Sequence, residues 1–148
     1  VHARQILRDQ ILAAVTGLTT TGARAHASRI YPLEQAGLPA LRLWTREERV
    51  IDDSRDLGSA RALRELTLRV EAVARLSDTL DDQLDDIAAE VEAAIVAAYA
   101  GGGIGARSCD LVSTSVELLS DAEEPTGVAA LDWRVIYFTD GAAPTALG

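Results

Sequence analysis

Asp81 and Asp85, and Asp82 and Asp86, are two pairs of carboxylates spaced four positions apart. On a helix each pair would sit one turn apart on a shared face, where it could hold a divalent cation. Hard cations, however, take about six to eight oxygens, usually from a loop that wraps the ion, and no such loop flanks this stretch. Carboxylates crowded at a helix start are favoured by the positive end of its dipole, so a solvated acidic face is the preferred reading. Gly101, Gly103 and Ala106 match G-x-G-x-x-A in form. A dinucleotide fingerprint follows a strand and opens a helix, whereas this one follows a helical pattern and opens an alternating one, so it reads as a helix stop and loop. Cys109 with His2 or His26 could pair a nucleophile with a base, but nothing beside Cys109 would activate it. A lone cysteine at a strand start reads as a small buried hydrophobe. There is no G-x-S-x-G, H-E-x-x-H or paired C-x-x-C, and two distant histidines supply a zinc site poorly. No catalytic, cofactor-binding or metal-binding residue is assigned, and the chain reads as a non-enzyme.

The element around which the rest is organised is a long helix, expected over Asp78 to Ala98. Leu80, Leu84, Ile87, Val91, Ala94, Ile95 and Ala98 recur in steps of three and four and form one apolar stripe. Ser77 or Asp78 can act as N-cap, and Gly101, Gly102 and Gly103 can take the left-handed turn that ends a helix. At 1.5 Å per residue the helix would be roughly 30 Å long. Away from the stripe, the first half carries Asp81, Asp82, Asp85 and Asp86, but the second half carries Ala89, Ala93, Val96 and Ala97. That small apolar surface implies a covering other than water.

The remaining elements follow in chain order. Ile6, Leu7, Ile11, Leu12, Ala14, Val15 and Leu18 predict an amphipathic helix from about Ala3 to Gly17, ended by Thr19, Thr20, Thr21 and Gly22. Ala25 to Tyr31 reads as an irregular or edge strand before Pro32, and Gly37, Leu38 and Pro39 as a turn. Ala40 to Trp44 alternates and is a strand, continued or returned through Arg49, Val50 and Ile51. Asp52 to Ala60 is polar and without period, hence a loop. From Leu63 to Leu76 the alternation is the clearest in the chain: Leu66, Leu68, Val70, Ala72 and Ala74 face one way, and Thr67, Arg69, Glu71 and Arg75 the other. Two further alternating stretches, Leu111 to Leu118 and Leu131 to Phe138, form a hairpin across an acidic turn from Asp121 to Gly127. Trp133 and Tyr137 are assigned to the core. Trp44 is either a rim aromatic on its own sheet or an interface anchor. The tail from Asp140 to Gly148 is expected to fray. This order gives one α+β domain over residues 1–148, a mostly antiparallel sheet with two helices packed on one face.

With 148 residues and 48% apolar content, the chain suits one domain with one core. No apolar run reaches membrane-span length, and the N-terminal stretch with Arg4, Arg8 and Asp9 does not read as a signal peptide. A net charge of −9 argues against general affinity for nucleic-acid phosphates. All fourteen basic residues are Arg, which together with the many Ala suggests GC-rich coding. The single Cys109 excludes an internal disulfide and fits a reducing cytoplasm or an assembly that needs no staples.

Several stretches carry a resemblance. Arg29-Ile30-Tyr31-Pro32-Leu33-Glu34, Leu38-Pro39-Ala40-Leu41-Arg42-Leu43-Trp44-Thr45, Glu47-Glu48, the long strand before an acidic helix, and Leu131-Asp132-Trp133-Arg134-Val135-Ile136-Tyr137 together span nearly the whole chain. In this order they resemble the tail terminator proteins, or minor tail protein U-like proteins, of long non-contractile-tailed phages and gene transfer agents. The resemblance implies a homo-oligomeric ring, usually of six subunits, at the tail–neck junction of a virion made in the host bacterial cytoplasm. Such a ring caps the tail tube, ends its polymerisation and meets a neck or head-completion protein, with no cofactor and no membrane. DNA only passes through the channel, where like charges keep phosphates off an acidic wall.

Under that reading Ala93, Val96 and Ala97 belong to a subunit interface. Arg46, Glu48, Arg49, Asp52, Asp53, Asp56, Asp121, Glu123 and Glu124 are the expected contacts with tail or neck. The loop from Asp52 to Ala60 is expected to be mobile in the free protein and to order on the tube's end. Two alternatives remain open: a head-completion or connector protein of the neck, and a cytoplasmic ligand-binding regulatory α+β module, which would need a concave apolar pocket.

Overall fold

The computed structural model describes residues 1–29, 37–53, 61–119, 125–140 and 143–147. Its first helix, α1 (Ala3–Val15), buries Ala3, Leu7, Ile11 and Val15, one residue per turn along a single row. His2 is the N-cap: its Nδ1 accepts the Arg4 backbone N–H at 3.1 Å. Chain reversal after α1 uses positive φ at Gly17 and Gly22, a conformation that only glycine adopts without strain.

Six strands form one sheet: β1 (Ala25–His26), β2 (Ala40–Asp53), β3 (Arg61–Arg75), β4 (Ser108–Leu119), β5 (Thr126–Asp140) and β6 (Ala143–Leu147). The order is β1-β2-β3-β5-β4, with β6 paired to the end of β5. Among the described strands only the β1–β2 pairing is parallel. The fold is therefore α+β with a mostly antiparallel sheet. The stretch from Ala40 onward is one continuous strand and not two, because β2 runs to Asp53 with bulges at Arg46 and Ile51. Asp52 and Asp53, expected in a loop, are the last residues of that strand, paired with Leu63 and Ala62. The remainder of the expected mobile loop, 54–60, lies outside the described residues.

The second helix, α2 (Leu80–Ala100), begins later than expected, with Thr79 and not Ser77 or Asp78 at the N-cap and no side-chain capping bond. It ends in a Schellman turn. Gly102 takes φ +80°, the Gly103 N–H reaches the Ala98 carbonyl at 2.7 Å, and the Gly102 N–H reaches that of Tyr99 at 3.1 Å. Residues 101–103 thus stop a helix and lead to the next strand, the reverse of the strand–glycine–helix order.

Both helices lie on one face of the sheet. The core joins Leu7, Ile11, Leu84, Ile87, Val91 and Ile95 from the helices to Leu66, Leu68, Val70, Ala72 and Ala74 of β3. From β5 it takes Ala129, Leu131, Trp133, Val135 and Tyr137, so the period-2 alternation of both central strands is directed at the helices. The opposite face is not simply wet. Leu38, Ala40, Val73 and Val128 make a small second cluster there. Of the tail expected to fray, Ala143–Leu147 instead forms β6, and Leu147 packs on the core. Pro144 is tolerated because β6 pairs with β5 on one side only and needs few ladder donors.

Candidate functional site

The sheet face without helices carries a ladder of ion pairs laid out by strand register. Arg42 stands opposite Glu71, and Arg69 opposite Asp132. The Arg42 guanidinium donates to Glu71 through Nε at 3.1 Å and also through Nη2. Arg69 donates to both Asp132 oxygens, Nε to Oδ1 at 2.8 Å and Nη2 to Oδ2 at 3.0 Å, a bidentate fork. Arg46, the bulged residue of β2, adds a third donor to Asp132 at 2.9 Å. Ser113 of β4 lies 3.4 Å from the same carboxylate. Asp132 is buried on a face that no helix covers, because its neighbours close over it.

The Arg69 fork, helped by the charges of Arg69 and Arg46, holds the Asp132 carboxyl below the usual carboxylate range despite its burial. Because its folded pKa is depressed, the stabilisation is complete above the ordinary carboxylate value of about 4 and is lost as pH falls through that range. Asp132→Asn is therefore expected to lower stability at neutral pH and to flatten the loss below about pH 4. Unfolding curves of the two proteins at pH 7 and pH 3 check this. Parallel pH profiles would contradict it.

A second polar group lies on the helix side. The bulge at Arg46 shifts the alternation of β2, so that Glu48 pairs with Leu66 and turns toward the helices. Its carboxylate accepts from Arg4 of α1 at 2.7 Å, from Arg64 of β3 at 3.1 Å, and from the Tyr137 hydroxyl of β5. Arg64 also donates to Thr139 at 2.8 Å. Burial and the Glu48 carboxylate push the Tyr137 hydroxyl well above its ordinary range, so it stays a proton donor. Glu48, expected as a tail or neck contact, is thus committed within its own chain. The partners lie 44, 16 and 89 positions away, so no local pattern signals this hub.

The other expected contact residues are dispersed. Arg49 pairs with Glu65 at 2.9 Å and remains largely exposed, and Arg46 is half-exposed at its pair with Asp132. Asp56, Asp121, Glu123 and Glu124 lie outside the described residues. The expected interface residues are gathered on one patch: Ala93, Val96 and Ala97 are exposed on the outer side of α2, Val96 at 57%. Other large exposed apolar side chains among the described residues are Val50 and Ile51 on β2, Val112, Val116, Leu118 and Leu119 on β4, and Val1 and Leu76 outside the strands. Trp44 is half-buried, with the Arg29 guanidinium 5.9 Å from its ring.

A cleft of about 690 Å³ opens between the loop after α1 and the start of α2, lined by Thr20, Pro39, Arg75, Ser77, Asp82 and Asp86 among others. Its lining mixes hydroxyls and charges with the apolar surface of Leu38 and Pro39 in about equal measure. Asp81, Asp82, Asp85 and Asp86 are all exposed, and no group of three or more His, Cys, Asp or Glu among the described residues converges on a metal position. Among the same residues, no helix is long and apolar enough to cross a membrane. Cys109 is buried and unpaired, and burial pushes its thiol up to about 11. A rise of that size leaves roughly a hundredfold less thiolate at neutral pH. Alkylation by a small reagent is accordingly expected to be about a hundredfold slower in the folded chain than in the unfolded one. Comparable rates would contradict the buried, inert assignment.

No protein-family model matches this chain, and comparison with curated proteins gives no match.

Proposed function

We propose that the chain is a structural subunit of a homo-oligomeric ring, a tail terminator of a long non-contractile-tailed phage or gene transfer agent. The ring, of six subunits by resemblance, caps the tail tube, ends its polymerisation and joins it to the neck. The observation that carries this reading is the divided outer face of α2. Its first half is acidic, and its second half presents Ala93, Val96 and Ala97 to solvent in the single chain. A neighbouring copy that covers the apolar half would leave the acidic half to face water or passing DNA, which like charge keeps off the wall.

The cleft beside Pro39 and Asp82 carries about as much polar as apolar surface, less apolar than the ligand pocket that a regulatory module would need. A connector of the neck shares the ring but not the tube. Adding the purified protein to tail tubes during polymerisation separates the two. A terminator shortens the tubes and decorates one end. Tubes that grow on unchanged while the protein binds tail-free capsids would overturn the proposal in favour of the connector.

A further inference from the structure

Two of the edges left open among the described residues carry large exposed apolar side chains. At one edge β4 contains no Lys, Arg or Pro, the residues that usually guard an edge strand, and its outer side has no strand partner among the described residues. Its bulge at Val112 leaves Ser113–Leu119 a regular run, with Val116 at 51% and Leu118 at 64% exposure. At the other edge, among the described residues, β1 pairs only with Leu41 and Arg42 of the long β2, Arg29 beyond it reaches the Thr45 carbonyl at 3.4 Å, and Val50 further along is 53% exposed.

We infer that these two edges join copy to copy, with β4 of one copy pairing antiparallel with β2 of the next. Direction supports this. β2 runs opposite to β3, β3 opposite to β5, and β5 opposite to β4, so β4 and β2 run in opposite senses. A rotation axis parallel to the strands preserves that sense, and the joint continues the antiparallel ladder. Side-chain faces agree as well. Val50 is opposite Arg64 and Val116 opposite Ala129, both on the helix side of the sheet. Arg49 and Glu117, one step away on each strand, are on the other side. A register that sets Val50 against Val116 therefore also sets Arg49 against Glu117, an apolar pair and an opposite-charge pair at once. The contact uses two different surfaces, so it is heterologous and closes into a ring when the rotation closes. The occupant of each edge is thus a second copy of this chain. The inference rests on the ring reading above and names the edges through which the ring is built.

The test places cysteines at both edges in a Cys109→Ser background. The combined Val50→Cys and Val116→Cys protein, oxidised or treated with a short bis-maleimide, is expected to give a ladder of covalent multimers, while either cysteine alone gives none. Both positions are exposed, so folding is preserved. Arg49→Glu is expected to weaken the ring at least tenfold, and Glu117→Arg in the same chain to restore it. Absence of the ladder, or a covalent dimer from Val116→Cys alone, which marks β4 pairing with itself, would overturn the inference. Rings that form without the ladder would leave the ring reading standing on the α2 face. A ladder from a protein that never halts tube growth would leave the edge joint standing and remove the tail-capping role.

Discussion

Glu48→Ala is expected to lower the stability of the fold by about 3 kcal/mol, the lower end of the usual effect of removing one partner of a buried ion pair, because Glu48 is partly buried. The carboxylate is only 11% exposed and accepts from three side chains on three different elements. Without it the Tyr137 hydroxyl, almost wholly buried in the core, has no acceptor from β2, and the Arg64 guanidinium loses its counter-charge. Arg4 is more exposed and turns to water at little cost. Glu48→Gln retains an oxygen for the Tyr137 hydroxyl and is expected to cost less. Urea unfolding at pH 7 should show a lower midpoint for Ala than for Gln, with an unchanged slope. A loss below about 1 kcal/mol for the Ala variant would remove Glu48 from its place as the joint between α1 and the sheet.

Val96→Asp is expected to leave the single chain folded and to abolish the ring. Val96 is exposed on α2 between Ala93 and Ala97, so the isolated fold should lose no more than about 0.5 kcal/mol. In an assembled ring the carboxylate would be buried in a small-residue interface without a partner, at a cost of several kcal/mol. About 3 kcal/mol per contact corresponds to roughly a hundredfold weaker association. Sedimentation over a concentration series reads this directly. A variant that still forms complete rings at low concentration would show that the outer face of α2 is not an interface.

The parts of the molecule legible in sequence are those where one face is uniformly buried. The alternation Leu66, Leu68, Val70, Ala72, Ala74 and the helical stripe Leu80, Leu84, Ile87, Val91, Ile95 both point into the core as read. The triple glycine after α2 marks its end for a local reason, the positive φ at Gly102. What escaped reading depends on shifts of phase or on distant partners. The bulge at Arg46 reverses the facing of β2 and turns Glu48 inward, and nothing in Thr45-Arg46-Glu47-Glu48 announces a bulge. The strand β6 is hidden by Pro144 and by a composition typical of coil, since its pairing with β5 and the packing of Leu147 are tertiary effects. The ion-pair ladder was visible only as a polar face, because the facing of Arg69 and Asp132 requires the register of β3 on β5.

The ring itself is tested most directly by negative-stain imaging of the purified protein, alone and after mixing with tail tubes. The account predicts closed rings in the free protein and a single ring seated on one end of each tube, with growth stopped there. Monomers or two-fold dimers at all concentrations, with bare tube ends, would contradict it.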